Sequence, residues 1–196
     1  MDMLLGEFTR DEMVQIAYHL DIPFADPFSN TFGLNRKSYY GVTGTPDNFI
    51  DGEEYSGSYL DITRDADRYR AKINADLALP ASISLSMSGR IDTDEGFVIV
   101  EANAEDPLSA KGLQIRIGIV EDHISFSGRD LRYVLRYMPP DEPIFLTSVG
   151  DKARTARNFP VDPAWNSSQI RIIIPVQLHL MGQSLVCLNQ LLLMIY

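Results

Sequence analysis

The sequence predicts an α+β protein in two parts, an α/β unit over residues 1–80 and a β-sandwich over residues 81–196. Apolar residues recur at helical spacing before Pro80 and at two-residue spacing after it, with turn residues between the later segments. A chain of 196 residues can bury two modest cores, and 45% apolar against 22% charged residues excludes wholesale disorder.

Met13 to Leu20 is rich in strand formers and free of Gly and Pro, so it reads as a buried strand, ended by Pro23 and Pro27. Asp26-Pro27 resembles a helix N-cap followed by proline at the first helical position, which predicts a helix up to Tyr40 closed by Gly41. A turn at Gly44–Asp47, a short strand Asn48–Ile50 and an Asp51-Gly52 hairpin turn follow. From Ser58 to Leu79, Ile62, Ala66, Tyr69, Ile73 and Leu77 form one face of an amphipathic helix. Asp61 and Asp65 favour its early turns through the helix dipole, and Pro80 marks its end. Beyond that boundary the alternating segments Ser82–Met87, Phe97–Ala102, Leu113–Val120 and Gln169–Gln177 predict the β-sandwich.

A net charge of -10 without a basic stripe argues against a nucleic-acid partner, because phosphate contacts need clustered Lys and Arg. The acids at 61–67, 92–95, 101–106 and 141–142 read as solvated turns and helix faces. Cys187 is the single cysteine, so the chain cannot run dithiol chemistry by itself; in its apolar run it reads as a small hydrophobe. The start has an acid where a basic signal-peptide region would be. The apolar C-terminal tail is interrupted by Asn189 and Gln190 and is too short to span a bilayer, so it reads as a buried strand pair or helix.

Several short motifs stand in a recognisable order: Ile16-Ala-Tyr-His-Leu, Asp26-Pro-Phe, Arg36-Lys-Ser-Tyr-Tyr-Gly-Val-Thr-Gly-Thr-Pro, Phe49-Ile-Asp-Gly, Ile117-Gly-Ile-Val-Glu-Asp-His-Ile-Ser-Phe, Tyr133-Val-Leu-Arg-Tyr-Met-Pro and Asp162-Pro-Ala-Trp. From Val14 to Gln177 the chain resembles the twenty-eight-kilodalton outer membrane protein family of the bacterial envelope. The resemblance implies a partial thioredoxin-like α/β unit over 1–80 and an immunoglobulin-like β-sandwich over 81–196. It also implies a bacterial envelope or extracellular location, and Thr45-Pro46 as a cis-proline turn beside which an extended peptide docks.

Two departures qualify what the resemblance implies. The family's Cys-x-x-Cys helix is absent: Leu5-Gly-Glu-Phe-Thr resembles the strand that leads into it, and Arg10 follows at once. After Gln177 the apolar run Leu185–Tyr196 replaces a more polar closing strand, which a frameshift or truncation would produce.

Other chemistry has thinner support. His19, His123 and His179 lack the spacing of a helical ligand pair, and Glu121-Asp-His123 is the densest metal-like cluster, with Glu121 and His123 on one strand face. Asp92-Thr-Asp-Glu-Gly96 faintly resembles a calcium loop but reads as a hairpin turn. Ser127-Gly128 and Ser148-Val-Gly150 are turn chemistry, without a nucleophile elbow. Trp165 reads as packing at the mouth of the sandwich, and Tyr39, Tyr40, Tyr55 and Tyr59 as packing between the two parts.

The leading expectation is a non-catalytic envelope or extracellular binding and structural protein with no metal and no cofactor. It has no transmembrane span, and its partner is an extended peptide or protein segment at Thr45 and Pro46. One alternative is a fragment of a thiol-disulfide oxidoreductase whose Cys-x-x-Cys segment lies outside this chain; another is a carbohydrate- or peptide-binding module in the β half. Loss of a strand and helix would bare a sheet edge beside Val14–His19 and favour a homo-oligomer.

Overall fold

Val14–Tyr18 does form a strand, and it sits inside the largest sheet with neighbours on both sides. The computed structural model describes residues 2–55, 62–108, 112–180, 183–185 and 191–195, with side chains described for 4–55, 63–108 and 112–177. The element order opens with α1 (Asp2–Leu5), β1 (Val14–Tyr18), α2 (Thr31–Tyr40), β2 (Asp47–Ile50), β3 (Glu53–Glu54) and α3 (Ile62–Leu77). A hairpin of β4 (Ile83–Ile91) and β5 (Glu95–Ala104) follows, then β6 (Leu113–Ile115), β7 (Gly118–Glu121), β8 (Ile124–Phe126), β9 (Arg129–Leu131) and β10 (Val134–Tyr137). The chain continues through β11 (Glu142–Ile144), β12 (Lys152–Pro160), β13 (Ile170–Ile173), β14 (Val176–Leu180), β15 (Gln183–Leu185) and β16 (Leu191–Ile195).

These strands make a seven-stranded sheet in the order β13-β7-β10-β1-β16-β2-β3, a four-stranded sheet β11-β6-β14-β15, a three-stranded sheet β12-β5-β4 and the β8-β9 ribbon. The expected α+β order, a partial thioredoxin-like unit followed by an immunoglobulin-like sandwich, is overturned by this arrangement. The protein is mostly β, 40% strand against 18% helix, and no clear thioredoxin-like α/β unit is present among the described residues. The large sheet combines β1, β2 and β3 with four strands that follow Pro80.

The reason lies in two strand pairs that change sheets. Leu113–Val120 was expected as one strand, but the chain turns at Arg116–Ile117, so β6 joins the four-stranded sheet and β7 the seven-stranded one. Gln169–Gln177 breaks at Ile174–Pro175 in the same way, separating β13 from β14, and the Arg116 N–H bonds the Pro175 carbonyl at 2.9 Å. Proline has no N–H to continue a ladder, so a corner at Pro175 costs the sheet little. Gly118, just past the first corner, leaves room for the Ile16 side chain of β1, one strand beyond β10: a Cβ there would stand 3.0 Å from Ile16 Cδ1.

The three- and four-stranded sheets share one core, in which Ile83, Val98, Val100 and Ala102 meet Leu113, Ile115, Ile144 and Val176. Trp165 packs against this core, partly buried, in line with its expected place. A second core under the large sheet joins Ile16, Tyr18, Leu20 and Phe49 to Val120 and Leu135. The helix face predicted before Pro80 does turn inward, with Ala66, Tyr69 and Ile73 buried, while Leu77 at its end is 36% exposed.

Helix α2 starts later than expected. Asn30, not Asp26, is its N-cap: Asn30 Oδ1 accepts from the Gly33 N–H at 2.9 Å, and its Nδ2 donates to the Leu135 carbonyl at 2.9 Å. Asp26 caps only an isolated turn, its Oδ1 accepting from the Phe28 N–H at 2.8 Å while His19 Nδ1 lies 2.8 Å from its Oδ2. Gly41 closes the helix in the left-handed region at φ 68°, as its position predicts. Asn30→Ala removes a cap and a tether to β10 together, so we expect about 1–2 kcal/mol of destabilisation, measured by denaturant unfolding.

Candidate functional site

The chain from Leu20 to Asp26 and the chain from Gly41 to Asp47 each make a turn at a proline, and one hydrogen bond ties the turns together. Thr45 Oγ1 donates to the Ile22 carbonyl at 2.8 Å. The Thr45–Pro46 bond is cis, as is Ile22–Pro23. Thr45 is half-buried, whereas Gly44 and Pro46 are exposed. Two residues beyond the tie, Phe24 is 82% exposed, an uncommon state for so large an apolar side chain. Asp21, Asp26 and Asp47 flank this surface in sequence. Asp47, the first residue of β2, accepts from the Asn48 N–H through its Oδ1, and Asp26 Oδ1 accepts from the Phe28 N–H. The exposed apolar group of these turns is thus Phe24, and carboxylates stand near it along the chain.

The metal-like cluster resolves into ion pairs. Glu121 and His123 do not share a strand face, because β7 ends at Glu121 and His123 turns into the left-handed region at φ 56°. Glu121 Oε2 accepts from Arg136 Nε at 2.9 Å and Oε1 from the Asn166 N–H at 2.9 Å. Asp122 is fully buried and accepts from Arg132 Nε at 2.6 Å and Nη2 at 3.1 Å. Burial raises the Asp122 pKa, but the Arg132 hydrogen bonds and the charges of Arg132 and His123 hold the carboxyl below its ordinary value. His123 Nδ1 lies 2.8 Å from Asp130 Oδ2. No group of three metal-ligating side chains converges among the described residues.

The remaining expectations are distributed over turns and cores. Asp92 to Glu95 close the β4–β5 hairpin, with the Asp92 N–H on the Glu95 carbonyl at 2.8 Å. Ser127 and Gly128 turn β8 into β9, and Asp151 Oδ2 accepts from the Thr147 and Ser148 N–H groups, each at 2.8 Å. The Tyr39 and Tyr40 rings meet edge-on at 5.0 Å, but Tyr55 packs elsewhere, on Tyr69 at 5.8 Å. Tyr59, Cys187 and the His179 side chain lie outside the described residues.

Sequence reasoning missed a buried polar junction between α2 and the sheet corner. Arg36 and Arg116 both donate to Gln177 Oε1, and their guanidinium groups stand 4.2 Å and 4.6 Å from the Tyr39 ring. Asp141 Oδ2 accepts from Arg116 Nε at 2.8 Å, and Gln177 Nε2 donates to Tyr40 Oη at 2.9 Å. Cation–π contact and a carboxylate offset the cost of burying these cations. Gln177 lies 141 positions from Arg36 and 61 from Arg116, so no local pattern announces them. Also unannounced is a cleft of about 840 Å³ between the end of α3, the start of β1 and the inner faces of β4 and β13. Its floor is apolar, and Lys72 on its rim is paired with Asp76 at 2.8 Å and Glu53 at 3.4 Å.

With this geometry, the chain superposes on a solved structure. It is similar to HBP35 of Porphyromonas gingivalis. The TM-score is 0.63 at 12% sequence identity, covering 81% of this chain and 55% of that one. At such identity the likeness to HBP35 shows the fold alone, and the chain spans about half of HBP35's length. No protein-family model matches the chain, and no curated protein matches it. Among the described residues no helix is long and apolar enough to cross a membrane.

Proposed function

We propose that the chain is a non-catalytic binding protein of the bacterial envelope or cell exterior, and that the tied turns at Ile22–Phe24 and Gly44–Pro46 dock an extended segment of a partner. The observation that carries this reading is the Thr45–Ile22 hydrogen bond, which ties two chain turns together two residues from the 82% exposed Phe24. A rigid surface with an exposed aromatic anchor keeps the ordering cost of binding low. The flanking carboxylates favour a segment with an apolar centre and basic ends. Envelope placement is supported by the motif order from Val14 to Gln177. The non-catalytic part of the reading rests on Cys187 being the single cysteine.

A phage-displayed library of unstructured dodecapeptides, selected on the whole chain, tests the reading. Selected peptides are expected to lose at least tenfold in affinity to Phe24→Ala and several-fold to Thr45→Val, which removes the tying hydroxyl at nearly constant volume. Selected peptides whose affinity neither substitution alters would move the site elsewhere.

A further inference from the structure

We infer that the chain pairs with a second copy of itself through the open edge of β4, joining two three-stranded sheets into one six-stranded sheet. In the order β12-β5-β4, β4 is a terminal strand, and along all nine residues its pairing is with β5. The Asp92 N–H bonds the Glu95 carbonyl, and the Glu105 N–H bonds the Ser82 carbonyl, so in this register the even-numbered residues exchange bonds with β5. Ile83, Leu85, Met87, Gly89 and Ile91 therefore present their N–H and C=O groups to the open side.

The two edges of this sheet differ in protection. The β12 edge carries Lys152, Arg154 and Arg157 and ends in Pro160, the usual devices against edge pairing. In β4, Ile-Ser-Leu-Ser-Met-Ser-Gly is neutral, and the single charge is Arg90. Met87 is 52% exposed on the face toward the cleft, near Leu79 at 68%. An unprotected edge thus runs beside exposed apolar side chains.

The strand is also complementary to itself. In an antiparallel pair with its two-fold axis at Met87, Met87 faces Met87, Leu85 faces Gly89 and Ile83 faces Ile91. All five outward-bonding residues are used, and each facing pair exchanges two backbone hydrogen bonds. Shifting the axis to Leu85 or Gly89 leaves some of them beyond the strand ends. In the Met87 register Arg90 faces Ser84, whose hydroxyl is hydrogen-bonded to Glu105. Arg90 already pairs with Asp92 at 2.9 Å, so at each end of the joint a cation would sit between two carboxylates, one from each copy.

Light scattering on the whole chain tests this. The wild type is expected to run as a dimer that dissociates on dilution, and Met87→Lys and Met87→Pro are each expected to halve its mass. Met87 does not bond β5 in this register, so proline there spares the ladder inside each copy; unchanged far-UV circular dichroism, and an unchanged thermal midpoint at a dilution where the wild type is itself dissociated, serve as the control for folding. In a Cys187→Ser background, Met87→Cys is expected to give a disulfide-linked dimer on oxidation. A wild type that stays monomeric at its highest soluble concentration would overturn the inference, as would a dimer whose mass neither substitution changes. Because no peptide takes part, this test is independent of the reading of the proline turns.

Discussion

Asp122→Ala is expected to destabilise the fold by about 3–5 kcal/mol, the cost typical of removing one partner from a buried ion pair. The carboxylate is fully buried, and it serves the Arg132 guanidinium, the Tyr133 N–H and the His123 N–H at once. Truncating it strands Arg132, whose side chain is 22% exposed, next to an empty acceptor site. Because the stranded cation causes much of the loss, the double variant Asp122→Ala/Arg132→Met should be less unstable than the sum of its single variants. The pH dependence has a definite sign. Asp122 titrates lower in the folded chain than in the unfolded one, so its contribution is complete above the unfolded carboxylate pKa of about 4. It fades as pH falls through the folded value. Asp122→Asn should therefore differ most from wild type near neutrality, and the gap should close in acid. Urea unfolding at stepped pH measures this.

Gly96→Ala is expected to cost about 1–3 kcal/mol through overpacking. A Cβ on Gly96 would overlap the Phe159 ring at Cζ and Cε2. Phe159 faces Gly96 across the β5–β12 ladder and is 2% exposed, so its ring would have to leave a closed core to make room. Phe159→Leu shortens the side chain at the point of overlap. The double variant should consequently recover part of the stability lost in Gly96→Ala, whereas two independent losses would add. Thermal unfolding of the four proteins measures the coupling.

Local patterns in the sequence were sound where local forces decide. The strand at Val14–Tyr18, the buried face of α3, the Asp51-Gly52 hairpin and the Asp92–Glu95 turn all follow from periodicity and turn chemistry. The fold class failed because it depends on which strands pair, and periodicity is silent on that. Leu113–Ile119 alternates through the corner at Arg116 and conceals it, whereas in Gln169–Gln177 the run Ile172-Ile173-Ile174 breaks the alternation just before the corner at Pro175; these corners divide the strands between sheets. The C-terminal apolar run, expected as a buried strand pair or helix, supplies the strand β16, which lies between β1 and β2 and closes the edge expected beside Val14–His19. The N-cap lies at Asn30 and not at Asp26: Asp26 Oδ1 does accept from the Phe28 N–H and its carbonyl from the Ser29 N–H, but these close a single turn, and the helix begins only after Asn30.

The candidate site was legible only in part. Thr45-Pro46 stood out because a proline leads directly into a strand, and the bond is cis as such a turn allows. The partner turn at Ile22–Phe24 went unnoticed, since the tie between Thr45 and Ile22 spans 23 residues and involves a hydroxyl and a carbonyl that carry no motif. Exposure of Phe24 is equally invisible in a sequence, where an aromatic residue beside a proline suggests packing.

Nuclear magnetic resonance mapping with a dodecapeptide selected on the whole chain tests the central claim most directly. Titration should shift the amide signals of Ile22, Phe24, Gly44 and Thr45 together, with a common saturation curve and little change across β4, β5 and β12. Shifts confined to the cleft beside α3, or to the outer face of β4 and β5, with these four signals unmoved, would contradict it.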